Sequence, residues 1–248
     1  MSEVQPAAER PLDICVDRHV GGRRFDPSLL PAGIDDPWSA DPRELALAWE
    51  RRWQPGQTLR LRFLEDGRRL HARVMEHALE WLEYANLELL VGRFADAEMR
   101  VSFSQPGHWS CVGTDALLEA DPDGPTLNLG GFTDDTPEAT LRRTVLHEFG
   151  HALGCLHEQA SPASRIPWDE AKVYAYYRRW HGWDAQTTYE NVLVRYSEAG
   201  IRFTRHDASS IMQYPVPAEL THGGFSVGWN NGLSELDKSF IARMYPGR

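Results

Sequence analysis

Cysteine is scarce: Cys15, Cys111 and Cys155 are the only three in 248 residues. An odd, sparse set cannot form a disulfide framework, so the core itself must hold the fold, and a reducing compartment is expected. No apolar run approaches the ~20 residues needed to cross a bilayer. The start of the chain lacks a basic stretch followed by an apolar one. A cytoplasmic protein is therefore expected, the alternative being a secreted one whose leader is not part of this sequence. Long Lys/Arg runs are also missing. With 26 Lys+Arg against 36 Asp+Glu the formal net charge is −10, which argues against nucleic acid or an anionic membrane as main partner. Neither an internal repeat nor a low-complexity tract is visible.

What is present is concentrated in one run, His147-Glu148-Phe149-Gly150-His151-Ala152-Leu153-Gly154-Cys155-Leu156-His157. Two His four apart on a helix project from one face and can reach one Zn²⁺. Gly154 fits the left-handed position after a helix end and can turn the chain so that His157 returns to the metal. Glu148 stands beside the first His, where it can serve as general base. With 10 His in the chain, a chance H-E-x-x-H is expected in about 3% of such sequences, and adding Gly154 and His157 lowers that to about one in ten thousand. The context is helical. Asp134-Asp135-Thr136-Pro137-Glu138 offers N-cap candidates, a Pro for the first turn and an acid behind it. Leu141, Val145, Phe149 and Ala152 form an apolar stripe. Three neutral imidazoles leave an open coordination position, as a catalytic zinc needs, and one zinc ion is expected.

The organisation around the run is that of one filled domain preceded by an N-terminal extension that wraps it or by a pro-segment. Residues 1–54 carry Pro6, Pro11, Pro27, Pro31, Pro37 and Pro42, with one helical stretch around Pro42 to Trp53. Residues 55–248 are the expected catalytic domain. Leu59, Leu61 and Phe63 alternate with Arg60 and Arg62, predicting a strand with one buried face. Asp66-Gly67 is a turn. Arg68 to Ala85 predicts a helix whose stripe is Leu70, Val74, Ala78, Trp81, Leu82 and Ala85. Leu87 to Phe94 and Met99 to Phe103 predict strands, and Thr126-Leu127-Asn128-Leu129 a short one ending at Gly130-Gly131. After the zinc helix come helix candidates at Trp168 to Trp180, Thr187 to Tyr196 and Ser234 to Met244, the last with Ser234 as N-cap and Asp237 three residues on. Strands before the active helix and mostly helices after it predict an α/β fold of two lobes, with a cleft between them and the zinc at its floor.

The extended motif resembles that of the metzincin zinc endopeptidases. Ser209-Ser210-Ile211-Met212-Gln213-Tyr214-Pro215 resembles the Met-turn of that clan. Glu158 directly after the third His, and Tyr214 two residues after Met212, resemble the astacins. The resemblance spans roughly residues 55 to 246. It implies the metzincin fold: a twisted mixed sheet and the active-site helix in an upper lobe, a mostly helical lower lobe, and a cleft between. It further implies hydrolysis of peptide bonds in peptide or protein substrates, with Met212 as a floor beneath the metal. Tyr214 is implied as a metal ligand that swings away to hydrogen-bond the oxyanion. The strand before the active helix, Thr126 to Leu129, is implied as an edge that pairs with substrate. The chain departs from the secreted astacins in three ways. It reads Gln159-Ala160-Ser161-Pro162-Ala163-Ser164-Arg165 where they carry an Arg and an Asp-Arg-Asp run. It lacks the cysteines for their two disulfides. The Glu that anchors their processed N-terminus would, as Glu158, require removal of the extension.

Together these features predict a monomeric zinc-dependent endopeptidase using His147, His151 and His157 as ligands and Glu148 as base. Alternatives are a dedicated processing protease for a single partner and a catalytically idle peptide-binding domain, against which the intact Glu148 argues. Cys15 has two readings. It is an ordinary buried Cys, or its thiolate fills the open zinc position and holds the enzyme latent, with Asp13 and Asp17 as rival ligands nearby.

Overall fold

The computed structural model describes residues 14–15, 47–48, 51–196, 201–203 and 205–248. Asp13, Asp17 and most of the extension lie outside them.

Strand β2 (Thr58–Phe63) turns Leu59 and Leu61 into the core and sends Arg60 and Arg62 outward. There Arg60 pairs with Asp96 and Glu98, and Arg62 with Asp123. Helix α1 (Arg68–Leu82) follows, burying Leu70, Val74, Ala78, Trp81 and Leu82 along the expected stripe. Strand β3 (Glu88–Val91) lies parallel to β2. On the other side of β2, β4 (Met99–Ser102) is also parallel, and β6 (Leu127–Leu129) continues the parallel set. Strand β5 (His108–Ser110) closes the sheet antiparallel to β6, giving the order β3-β2-β4-β6-β5. The expected α/β architecture is thus built on a mixed, five-stranded sheet.

Helix α2 (Glu138–Ala152) buries Leu141, Val145, Phe149 and Ala152 against the sheet and α1. The Trp81 indole donates to the Leu146 carbonyl at 2.9 Å and fixes the two helices against each other. Pro137 sits at the N-cap, not inside the first turn, and makes no side-chain cap. Past the motif come α3 (Glu170–His181), capped by Asp169 and stopped by Gly182 in the left-handed region, and the short α4 (Ala185–Thr188). Helix α4 passes into a π-helical turn at Tyr189–Leu193, so the helix expected over Thr187 to Tyr196 begins earlier and ends wider. Helix α5 (Glu235–Met244) begins with the Ser234/Asp237 capping box.

Two expectations are corrected. Within the helix expected around Pro42 to Trp53, Leu47–Ala48 form a strand, β1, antiparallel to β7 (Ile201–Arg202). Backbone pairing across 153 residues of chain overrides a local preference for helix there. Second, Thr126 to Leu129 is no edge. Strand β6 is paired on both sides, and all four residues are buried. The three-residue β5, which sequence periodicity does not show, is the edge on this side of the sheet, β3 being the other. Trp53, at the end of the extension, belongs to the main core, where its indole donates to the Ala152 carbonyl at 2.8 Å.

Candidate metal centre and active site

Helix α2 carries His147 and His151, both buried and one turn apart, and the end of the helix delivers the third His. Gly154 takes φ 99°. Its N–H donates to the His151 carbonyl at 2.7 Å, and the Cys155 N–H to the Gly150 carbonyl at 2.9 Å. This pair of bonds is the Schellman ending that reverses a chain after a helix. His157 follows in extended backbone, and the Glu158 N–H locks it in place by donating to the Met212 carbonyl at 3.0 Å.

The result is a triangle of ring nitrogens. The Nε2 atoms of His147, His151 and His157 lie 3.0–3.2 Å apart. His147 Nδ1 lies 2.8 Å from the Ile211 carbonyl, and His151 Nδ1 lies 2.9 Å from the Cys155 carbonyl. A carbonyl only accepts, so both Nδ1 atoms carry the hydrogen and both Nε2 atoms present lone pairs. Two bare lone pairs facing each other at hydrogen-bond distance are stable only with a cation between them. A tetrahedral ion bonded at ~2.0–2.1 Å separates its nitrogens by about 3.3–3.4 Å, close to this spacing. The donor set therefore fits zinc.

A fourth ligand atom joins the three. Cys15 Sγ and the three histidine nitrogens all lie within 4.8 Å of one another, and all four residues are buried. The Cys15 thiol also donates to Glu148 Oε2 at 3.3 Å. Tyr214 donates its hydroxyl to the Cys15 carbonyl, and its ring centroid lies 4.4 Å from that of His157. The segment Ile14–Cys15 thus touches a metal ligand position, the acid beside it and the tyrosine together.

Beneath the triangle, the turn at Ser210–Tyr214 closes the floor. Met212 is wholly buried, and a Cβ at Gly150 would lie 2.4 Å from its sulfur, so only glycine lets helix and turn approach this closely. Glu158, whose partner the sequence leaves open, accepts from the Asp207 N–H at 2.8 Å. Its other oxygen has no hydrogen-bond partner among the described residues. Burial pushes this carboxyl well above its usual range, and the charges of Asp237 and Asp207 add to that push. Burial likewise raises the Cys155 thiol, which packs beneath the motif.

A cleft of about 400 Å³, open to solvent, runs past this centre. His147, Glu148 and Tyr214 line it together with His108 of β5 and Trp229. Arg143 lays its guanidinium over the Trp229 ring at 4.1 Å.

No protein-family model and no curated protein matches the chain. Solved structures do. A structure of myroilysin is 37% identical, with a TM-score of 0.79, over 82% of this chain and 99% of that one. A crystal structure of myroilysin is 31% identical, with a TM-score of 0.66, over 95% and 92%. The chain belongs to the astacin-like metalloproteases. High choriolytic enzyme 1, a hatching enzyme zinc-protease from Oryzias latipes (Medaka fish), shares the astacin-like fold at 18% identity. Its TM-score is 0.50, over 79% of this chain and 94% of its own.

Set in that family, the sequence-derived residues divide cleanly. His147, Glu148, His151, His157 and Tyr214 come together around one point, with Cys15 among them. Gly154 ends the helix, and Glu158 joins the loop carrying His157 to Met212. Thr126 to Leu129 stay in the sheet interior, away from the cleft lining. Sequence reading did not find the contribution of β5 to the cleft, nor the contact between Asp237 and the 210–212 turn. No local pattern signals either.

Proposed function

We propose that this astacin-like metalloprotease is an endopeptidase with one zinc ion held by His147, His151 and His157, and that its N-terminal extension, residues 1–54, keeps it latent through Cys15. The observation that carries the reading is the triangle of three Nε2 atoms with Glu148 at its side. Zinc, when bound, supplies the Lewis acidity that polarises a scissile carbonyl and makes water nucleophilic near neutral pH. Glu148 takes the proton of the attacking water and delivers it to the leaving amine. Tyr214 offers its hydroxyl to the oxygen of the carbonyl under attack. Its bond to the Cys15 carbonyl supports that role, because the group it already holds is a peptide carbonyl. Strand β5, as the sheet edge with His108 on the cleft wall, is the element suited to pair with an extended substrate. Met212 serves as the floor, as a Met-turn would.

Latency follows from chemistry at the same point. A thiolate is a strong zinc ligand, and one set beside the general base removes both functions together. Three thiols and no disulfide suit a reducing compartment. No helix among the described residues is long and apolar enough to cross a membrane.

The test is metal analysis and peptide-library cleavage with full-length Cys15→Ala and with the double variant Cys15→Ala, Glu148→Ala. About one zinc per chain in both, with cleavage only in the first, is expected. Absence of tightly bound metal, or equal cleavage by the two, overturns the reading. A variant that cuts a casein-like mixture is a general endopeptidase, and one that ignores it while cutting selected library members is a dedicated processing enzyme.

A further inference from the structure

Asp237 is a carboxyl with no exposure at all, in the first turn of a helix whose cap needs no buried acid. As the capping-box partner of Ser234 it accepts the Ser234 N–H at 2.9 Å, and a solvent-facing acid would serve there equally. This acid points inward and takes two more donors from the turn beneath the metal centre. The Ser210 hydroxyl donates to Oδ1 at 2.7 Å and the Ile211 N–H to Oδ2 at 2.8 Å. Ser210 Oγ in turn accepts the Met212 N–H at 3.0 Å. One carboxyl therefore gathers, directly or through one hydroxyl, the donors of three successive residues. The carbonyl of the middle one, Ile211, is the acceptor that holds His147 Nδ1.

We propose that Asp237 is a positioning residue for the metal centre, acting on His147 through the Ile211 residue it clamps; the proposal rests on the zinc reading above. A ligating imidazole gains orientation and a fixed tautomer from the acceptor on its far nitrogen. Here that acceptor is a backbone carbonyl in a turn, and a turn without its anchor would let the carbonyl rotate away. Burying a carboxyl is costly, and an apolar residue of similar size would spare the core that cost. Burial pushes Asp237 up to about 6 against the pull of its donors. A cap alone does not account for accepting it; the two donors drawn from the turn, with Met212 linked through Ser210, do.

The test uses full-length protein, with zinc affinity from competition against a chromophoric chelator and the visible spectrum of the cobalt(II)-substituted form. Asp237→Ala is expected to weaken zinc binding by about tenfold and to alter the cobalt spectrum. Asp237→Asn, whose amide oxygen can still accept both N–H groups, should recover most of the affinity. Ser210→Ala keeps the carboxyl but cuts the link to Met212 and should weaken zinc binding by less than Asp237→Ala does. Phe240→Leu loosens the same helix in its core while keeping the hydrogen bonds of Asp237 to the turn, and should leave zinc affinity and the cobalt spectrum unchanged. Wild-type zinc affinity in Asp237→Ala overturns the proposal. If that variant does not fold, wild-type affinity in Ser210→Ala does so. Equal weakening by Phe240→Leu also overturns it, because the effect is then one of stability. A wild-type chain that binds no zinc removes the zinc reading itself, an outcome distinct from a loaded wild type matched by its variants.

Discussion

The Cys15 thiol donates to Glu148 Oε2 at 3.3 Å while its sulfur stands in reach of the three histidine nitrogens. A zinc-bound thiolate is shielded from electrophiles, and a released one is not. In zinc-loaded, folded protein all three thiols should therefore react slowly with a disulfide reagent. Removing the metal with a chelator should make one of them reactive. Cys111 and Cys155 are 1% and 0% exposed, so they serve as internal controls that react only on unfolding. Mass mapping of the labelled site checks the assignment. Labelling at Cys111 or Cys155 first, or no gain in reactivity on chelation, would contradict a metal-held Cys15.

Tyr214 shows the other half of the same contact, with its hydroxyl on the Cys15 carbonyl. If that hydroxyl supports a carbonyl oxygen during catalysis, Tyr214→Phe in the Cys15→Ala background should lower kcat on the order of 10²-fold with KM nearly unchanged. Loss of one hydroxyl at the cleft leaves the packing against His157 in place, so metal content should not fall. Steady-state kinetics with a fluorogenic peptide separates the two parameters. A rise in KM at constant kcat would assign the tyrosine to binding alone.

Gly150 and Met212 meet more closely than any side chain allows. A Cβ added at Gly150 would lie 2.4 Å from the Met212 sulfur and 3.1 Å from the Trp81 ring. Gly150→Ala favours helix locally but overpacks the contact between helix and turn. The overpacking should win, with a net loss of about 1–3 kcal/mol. Urea unfolding measures it. The double variant Gly150→Ala, Met212→Ala should regain part of the loss, since the smaller residue vacates the space. Failure of that rescue would place the strain elsewhere.

Helix α2 and its histidine triangle were legible because the pattern is local. Ten residues of chain separate His147 from His157, and helix periodicity with one glycine carries the geometry. The capping box at Ser234 and Asp237 was legible for the same reason. Its second use was not, because the donors Ser210 and Ile211 lie 27 and 26 residues away and no spacing rule links them. The misplaced sheet edge was carried over from the family resemblance, and the alternation of Thr126 and Asn128 with leucines gave no local signal against it. In the fold Asn128 is buried because the 105–107 loop satisfies its amide: Nδ2 donates to the Gln105 and Gly107 carbonyls at 2.9 and 2.7 Å. A polar side chain supplied with partners by a distant loop looks, in sequence, like one facing water. Strand β5, three residues long, is too short to show a period.

The helices that carry the site are clasped by a charged cluster whose pH response has a definite sign. Glu80 of α1 receives the Arg142 guanidinium of α2 in a two-point grip at 2.9 and 2.6 Å. Glu138, at the start of α2, receives Arg73 at 2.7 Å. The His77 ring stands between the two acids, 3.0 Å from Glu80 and 2.5 Å from Glu138. Burial alone would raise Glu80, but Arg142 and His77 outweigh it and hold the carboxyl below 4.5. Arg73 and then His77 do the same for Glu138. A carboxyl held lower in the folded chain than in the unfolded one stabilises the fold in full above pH 4.5. It loses that contribution as pH falls through its folded value. Glu80→Gln should therefore cost about 1 kcal/mol at pH 7. The gap between variant and wild type should close as the pH is lowered towards 3, because protonation does to the wild type what the substitution did already. Urea midpoints at the two pH values check it. A cost that stays constant across the range would mean that Glu80 acts through shape, with its charge irrelevant to how α1 holds the zinc helix.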